Sequence, residues 1–357
     1  MQTESANKII PSRPNFIDNK VVVVDGLIGG GKGLISQIIS ALPGVEMWVH
    51  NPQIEQVCGL HHLDHVSMEG AITLIKNWVD EEAYNLSMLR NANFRHKDMS
   101  SIFKYPRKFS YLFRLFEDVE SKAMENFDKN DRILNFMTHS NTAYALPLFE
   151  ALGKRLIYIR FVRSPMTEYM HNHLARWSNR WGKDIRSGML LYKKDNLDDK
   201  NIYLPFFLSN NDHNYDDASP IEKAIYILQE WQNSGDNRID VIKQNQKYEA
   251  TIFEIPFEKF VFEPMPFIEN IAKALNVQID KVTKMEMKKQ KVPRKSLTDS
   301  PRIRYYENQG WRKPLNHDSV KNEFDMTRER IKQKISLETI KVLDEIQEQY
   351  INRYNIL

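Results

Sequence analysis

The stretch Val21 to Lys32, VVVVDGLIGGGK, decides the fold of this 357-residue chain. Four consecutive valines ending at Asp25 read as a strand buried on both faces, and the glycine-rich turn that follows reads as a phosphate-cradling loop. Gly26 and Gly31-Lys32 fit the G-x-x-x-x-G-K spacing, and LISQIISAL (Leu34 to Leu42) supplies the helix whose N-terminus faces the anion. Gly26, Gly29, Gly30 and Gly31 let backbone N–H groups turn inward with no Cβ in the way, and the helix dipole adds positive potential there. The position after Lys32 departs from the nucleoside triphosphatase pattern. It holds Gly33 where those proteins place a Ser or Thr hydroxyl on Mg²⁺, so metal-dependent phosphoryl transfer loses a ligand.

Composition bounds the rest. With 41% apolar and 11% aromatic residues the chain builds a packed core. Fifty basic residues against 47 acidic leave a net charge of +3, too balanced for nucleic acid or a membrane surface to be the main partner. The single cysteine, Cys58, excludes an internal disulfide and fits a reducing compartment. No apolar run reaches the length of a membrane span, and Met1 to Pro14 lacks the apolar stretch of a secretory signal. A cytoplasmic location is expected.

Along the chain, residues 1–18 have no period and are expected to be a flexible tail, with one domain over 19–357. VEMWVH (Val45 to His50) alternates like a short strand and is expected to pair beside the first. Residues 54–130 read as a helical insertion that covers one face and walls a cleft. Inside it, His61 and His65 share a helix face, but no third ligand stands at a diagnostic spacing, so no metal site is expected. RILNFMTHS (Arg132 to Ser140) is a strand candidate ending in Thr138-His139. RLIYIRFV (Arg155 to Val162) is another, which puts Arg163 at a strand's carboxyl edge, where ligands of open α/β sheets bind. The next helix carries Glu168, His171, His173 and Arg176. Residues 176–220 read as a long surface loop or lid, and ATIFEI as a fifth strand. The expected fold class is therefore α/β: a central, mostly parallel sheet flanked by helices, with a P-loop-type nucleotide site.

The ordered set of elements resembles the sulfotransferase family, P-loop-type enzymes whose donor is 3'-phosphoadenosine 5'-phosphosulfate. Four pieces carry the resemblance between Val21 and about Arg353. GLIGGGKGLISQII stands where the family has its loop for the 5'-phosphosulfate, implying donor contacts from Gly26, Gly29, Gly30, Gly31, Lys32, Gly33 and Leu34. FMTH (Phe136 to His139) resembles the Lys-Thr-His strand end of cytosolic members and implies that His139 is the catalytic base. IRFVRSPMTEYMHNH is similar to the 3'-phosphate segment, whose arginine maps to Arg163 and whose serine maps to His171. FEIPFEKFVFEPMPFIENIAKALNV with the later GWRK is like the family's C-terminal half, implying donor contacts from Gly310, Trp311, Arg312 and Lys313. The departures are Gly29, where the family's basic residue stands, and Lys32, three residues on at the Walker-type position.

The resemblance implies an in-line sulfuryl transfer to a hydroxyl or amine of a small-molecule, glycan or lipid acceptor, with no metal required. His139 takes the acceptor proton, and Lys32 with the loop amides stabilises the leaving phosphate oxygen. Two other readings of the residues stay open. A nucleoside or nucleotide kinase using ATP and Mg²⁺ is favoured by Lys32 and by a lid built from Arg176, Arg180 and Arg186. A nucleotide-binding module without catalysis is the other. Neither the acceptor nor the oligomeric state is legible.

Overall fold

The computed structural model describes residues 9–116, 119–129, 131–185, 187–194, 202–209, 215, 218–245, 247–297, 299–301, 304, 307 and 319–356. Its strands are β1 (Val21–Asp25), β2 (Val49–His50), β3 (Leu134–Met137), β4 (Leu156–Val162), β5 (Leu191–Lys194), β6 (Ile202–Pro205) and β7 (Thr251–Pro256). The helices that frame the site are α1 (Lys32–Ile39), α2 (Pro52–His62), α3 (Met68–Ser87), α4 (Lys108–Leu112), α5 (Glu120–Lys129), α6 (Leu146–Leu152) and α7 (Glu168–Ser178). They are followed by α8 (Pro220–Gln244), α9 (Phe257–Phe262), α10 (Pro264–Leu275), α11 (Lys281–Lys289), α12 (Val320–Ile331) and α13 (Leu337–Tyr354).

Five strands form one sheet in the order β2-β3-β1-β4-β7, with every pairing parallel. The valine run behaves as a doubly covered strand because both of its faces meet helices. Val21 and Val23 join Leu134, Phe136 and Tyr158 under α2, α3, α6, α8 and α13, while Val22 and Val24 join Ile157, Ile159 and Phe161 under α1, α9 and α10. The order reverses at β1, with β3 on one side and β4 on the other. The carboxyl ends of β1, β3 and β4 therefore meet at the crevice where such sheets bind ligands.

Three expectations change. The strand at Val45 to His50 pairs with β3 and not with β1, and only Val49 and His50 form it, preceded by a lone bridge from Val45 to Ile133. The ladder breaks between them because the Met47 and Trp48 amides donate elsewhere, to the Tyr111 hydroxyl at 3.0 Å and the Ser40 hydroxyl at 3.2 Å. Part of the expected tail is docked: Ile17 is buried and Arg13 pairs with Asp80 at 2.9 Å, while Ile9, Ile10 and Phe16 are exposed. The described part of 176–220 is not a loop throughout, because β5 and β6 form an antiparallel pair. Trp181, Leu204, Phe206 and Phe207 beside that pair sink into the main core. Between 54 and 130 the described residues form helices α2 to α5 and short helical turns, with no strand.

Candidate functional site

Asp25, at the end of β1, organises the ends of two strands at once. Its fully buried carboxylate accepts from the Thr138 hydroxyl (2.8 Å) and the Asn141 amide (3.1 Å) on one oxygen, and from the Thr142 amide (2.8 Å) on the other. These bonds, with the Ser140 amide on the Gly26 carbonyl at 3.2 Å, clamp the turn after β3 against the glycine loop. His139 stands in that turn. The clamp thereby fixes the imidazole beside the loop, although the two lie more than 100 residues apart in the chain.

The loop needs its glycines at particular points. Gly29 and Gly31 have φ of +88° and +97°, which side chains rarely adopt, and a Cβ on Gly31 would lie 2.8 Å from the Phe257 ring. A Cβ on Gly26 would strike the Phe161 carbonyl at 2.3 Å. Lys32, the first residue of α1, folds its ammonium under the loop onto the carbonyls of Gly26 and, at 3.2 Å, Leu27. Burial lowers its pKa to about 8, against the opposing pull of Asp25 and Glu55.

Glu55 comes from a helix start that the sequence specifies. The Asn51 side chain caps α2 by accepting from the amides of Gln53 (3.0 Å) and Ile54 (3.4 Å), and Pro52 occupies the first helical position. His50 then ends β2 and Glu55 falls in the first turn of α2, where the helix dipole favours a carboxylate. Glu55 Oε1 accepts from the His139 amide at 2.8 Å and lies 3.0 Å from His50 Nε2 and 3.3 Å from His139 Nδ1. The two rings meet edge to face, with His139 Nδ1 3.1 Å from His50 Nε2. Burial alone would raise the Glu55 pKa, but the hydrogen bonds from His139 and His50 hold it at about 2. Burial and the nearby Lys32 cation push the His139 imidazole down to about 4, so the ring is neutral near pH 7. A carboxylate only accepts, so a hydrogen bond from this ring to Glu55 requires the tautomer with its proton on Nδ1. In that tautomer Nε2 carries the lone pair, and Nε2 has no partner among the described residues.

A cavity of about 510 Å³ opens at this edge of the sheet. Leu27, Ile28, Gly29, Gly31, Lys32, Gly33 and Leu34 line it from the loop, and Trp48, Met137 and His139 from the β2–β3 side. Tyr169, His173 and Trp177 line it from α7, with Gln290 and Arg294 beyond α11. Gly26 and Gly30, both expected at the ligand, do not line it and lie behind the loop against backbone carbonyls. His171 is fully buried and does not line it either. The histidine on the cavity is His173, because two residues turn a helix by about 200° and so carry side chains to opposite faces. Signals for the missed residues existed in the sequence: Tyr169, His173 and Trp177 recur every four residues, and Asn51-Pro52 marks the helix start that sets His50 and Glu55.

Arg163 follows β4 as expected, but it stands one ring away from the cavity wall. Its guanidinium lies 4.3 Å from the centre of Phe257 and 5.2 Å from that of Tyr169. Although the residue is buried, Nε and Nη1 have no hydrogen-bond partner among the described residues. Arg294 lies over the same Phe257 ring at 5.5 Å. Gly310, Trp311, Arg312 and Lys313 fall outside the described residues. Of the histidines in α2, His61 Nδ1 lies 2.9 Å from the Val66 carbonyl and His62 Nε2 lies 3.2 Å from the Ser209 hydroxyl. Neither belongs to a cluster of metal-ligating side chains among the described residues.

No family model matches the chain, and no curated protein does. Among solved structures, it is similar to the sulfotransferase domain of the Synechococcus PCC 7002 olefin synthase. That alignment covers 91% of this chain and 98% of the other at 13% identity, with a TM-score of 0.40. A sulfotransferase from Mycobacterium avium aligns over 97% and 78% at 11% identity, also with a TM-score of 0.40. The sulfotransferase domain from the curacin biosynthetic pathway aligns over 89% and 99% at 10% identity and the same TM-score. Likenesses of this size assign neither ligand nor chemistry to this chain.

Proposed function

We propose that the chain transfers a sulfuryl group from 3'-phosphoadenosine 5'-phosphosulfate to a hydroxyl or amine acceptor. The observation that carries the proposal is a neutral imidazole and a buried ammonium on one cavity: His139 with its lone pair on Nε2, and Lys32 under the glycine loop. In the reaction the acceptor oxygen or nitrogen attacks sulfur, and the bond from sulfur to the phosphate oxygen breaks. The acceptor proton passes to His139 Nε2, and the electron pair leaves on the phosphate oxygen, against Lys32 and the loop amides. Glu55 accepts a hydrogen bond from Nδ1–H and stabilises the imidazolium that forms, as a positioning residue.

Arg163 suits the donor's 3'-phosphate because it is a buried cation with two unspent N–H-bearing atoms, and a phosphate would supply their acceptors. Gly33 leaves the loop without a hydroxyl for Mg²⁺, which disfavours ATP-dependent phosphoryl transfer. The aromatic walls of Trp48, Tyr169 and Trp177 fit a small-molecule, glycan or lipid acceptor. In this reading residues 19–357 act as one catalytic unit.

Titration calorimetry with adenosine 3',5'-bisphosphate tests the proposal. Binding without Mg²⁺ is expected, weakened about 10–100-fold in Arg163→Ala by the loss of charge-assisted hydrogen bonds. Binding of ATP only with Mg²⁺, and none of the bisphosphate, overturns it.

A further inference from the structure

His50 Nε2, Glu55 Oε1 and His139 Nδ1 form a near-equilateral triangle with sides of 3.0, 3.1 and 3.3 Å. We infer that this triangle is a binding site for a divalent transition-metal ion of the zinc type, and that an ion there silences the His139 base. A tetrahedral zinc ion with bonds of about 2.0–2.1 Å holds its ligand atoms about 3.3–3.4 Å apart, so the side chains close on an ion by opening a few tenths of an ångström. The donor set of two imidazoles and one carboxylate selects borderline metals over Mg²⁺ and Ca²⁺, which prefer oxygen. Among the described residues no other three side chains bring ligating atoms this close.

Three features favour occupation. Both neighbours of Glu55 present a ring nitrogen to one of its oxygens. The His139 amide bonds to Glu55 Oε1 at 2.8 Å, which orients the carboxylate from behind, as outer-shell donors do in built metal sites. The His50 side chain is 39% exposed, and His139 lines the cavity, so an ion enters from solvent and keeps an open fourth position. The Lys32 ammonium, on the same cavity as His139, opposes the dication and weakens its binding.

The proton balance gives the consequence. A neutral imidazole bound through Nδ1 carries its proton on Nε2, so the lone pair that faces an acceptor in the metal-free protein is replaced by an N–H. No proton is lost in this exchange, since each ring moves its own proton to the nitrogen opposite the metal. The proposal rests on the function above only for its inhibitory half.

Cobalt(II) added to the purified full chain reports the site directly through its visible ligand-field absorption. One equivalent is expected to bind, to be displaced by zinc, and to bind about tenfold or more weakly in His50→Ala and in Glu55→Gln. No cobalt spectrum in the wild type overturns the site, as does an unchanged affinity in both variants while their circular dichroism stays native. Metal binding needs no turnover. A chain that binds cobalt at these residues but transfers no sulfuryl group therefore overturns the proposed function and leaves the metal site standing. If the chain does transfer, zinc is expected to suppress turnover and a chelator to restore it. Full activity with zinc bound overturns the silencing.

Discussion

Lys32 is a cation that burial has made titratable close to neutrality, so its charge has an alkaline limit. Its pKa of about 8 means that the ammonium is present below pH 8 and lost above it. The affinity for adenosine 3',5'-bisphosphate is therefore expected to fall as pH rises through about 8. In Lys32→Arg, whose guanidinium stays charged, calorimetry should find that decline absent. For His139 the limit lies on the acid side, since the imidazole is neutral down to about pH 4. Removing it in His139→Ala should lower turnover about 10²–10⁴-fold while bisphosphate binding persists, as expected for loss of a general base. Glu55→Gln puts an amide against Nδ1 in place of a carboxylate. The amide does not stabilise the imidazolium, so kcat should fall more than donor affinity. An unchanged kcat would remove Glu55 from the mechanism.

At the scale of elements, an ion network away from the cavity ties β4 and β7 to two helices. Arg160 of β4 is fully buried and pairs with Asp236 of α8 and, at 3.2 Å, with Glu254 of β7. Arg353 of α13 meets Asp240 at 2.7 Å and Glu254 at 3.1 Å. α8 comes close enough that a Cβ on Gly235 would lie 2.7 Å from the Arg160 guanidinium. Removing Arg160 leaves the partly buried Asp236 and Glu254 carboxylates with Arg353 alone near them, so Arg160→Ala should destabilise the fold by about 3 kcal/mol in urea unfolding. A loss below about 1 kcal/mol would mean that water or local rearrangement absorbs the charge. The loop–α1 junction is constrained differently, by shape. Gly31→Ala meets both a left-handed backbone and the Phe257 ring, which predicts lower bisphosphate affinity through a displaced loop.

For the whole molecule, buried titratable groups set the acid side of stability. His139, His171 and His173 are each held at about 4, burial being the main cause, whereas in the unfolded chain each takes up a proton below about 6.5. A depressed histidine therefore contributes stability that is complete above pH 6.5 and disappears as pH falls toward 4. Glu55 and Glu254, both held at about 2 against an ordinary 4.5, add a second loss between pH 4.5 and 2. The melting temperature is expected to drop between pH 7 and pH 5 through these histidines, offset in part by Glu82, whose carboxyl burial raises to about 7 so that its protonation favours the folded state over the same range. His171→Gln keeps the size and polarity of the most buried of the three without its titration, and should shrink that drop. An equal drop in the variant would assign the loss to other groups.

The chain by itself determined the sheet and the strand ends, because hydrophobic runs and glycine spacing are local properties. VVVVD, RILNFM and RLIYIRFV are strands for the same reason that a run of apolar residues must be covered on both sides. The glycine loop announces itself through residues whose missing Cβ the turn requires. The strand order was not local: β2 lies beside β3, and its ladder is cut short because the Met47 and Trp48 amides find partners on other elements, which no period encodes. The site was half legible. His139 and Arg163 follow strand ends, and Lys32 the glycine loop, that the sequence marks, but the neighbours that set their chemistry come from elsewhere. Glu55 reaches His139 across 84 positions, and Asp25 reaches Thr142 across 117. His173 displaces His171 by a half turn of helix, which only the packing of α7 against the loop could choose. Tertiary structure alone decided which carboxylate lies against His139 and that Arg163 is buried with Nε and Nη1 unbonded among the described residues. Those properties depend on desolvation and on contacts between elements that sequence distance does not record.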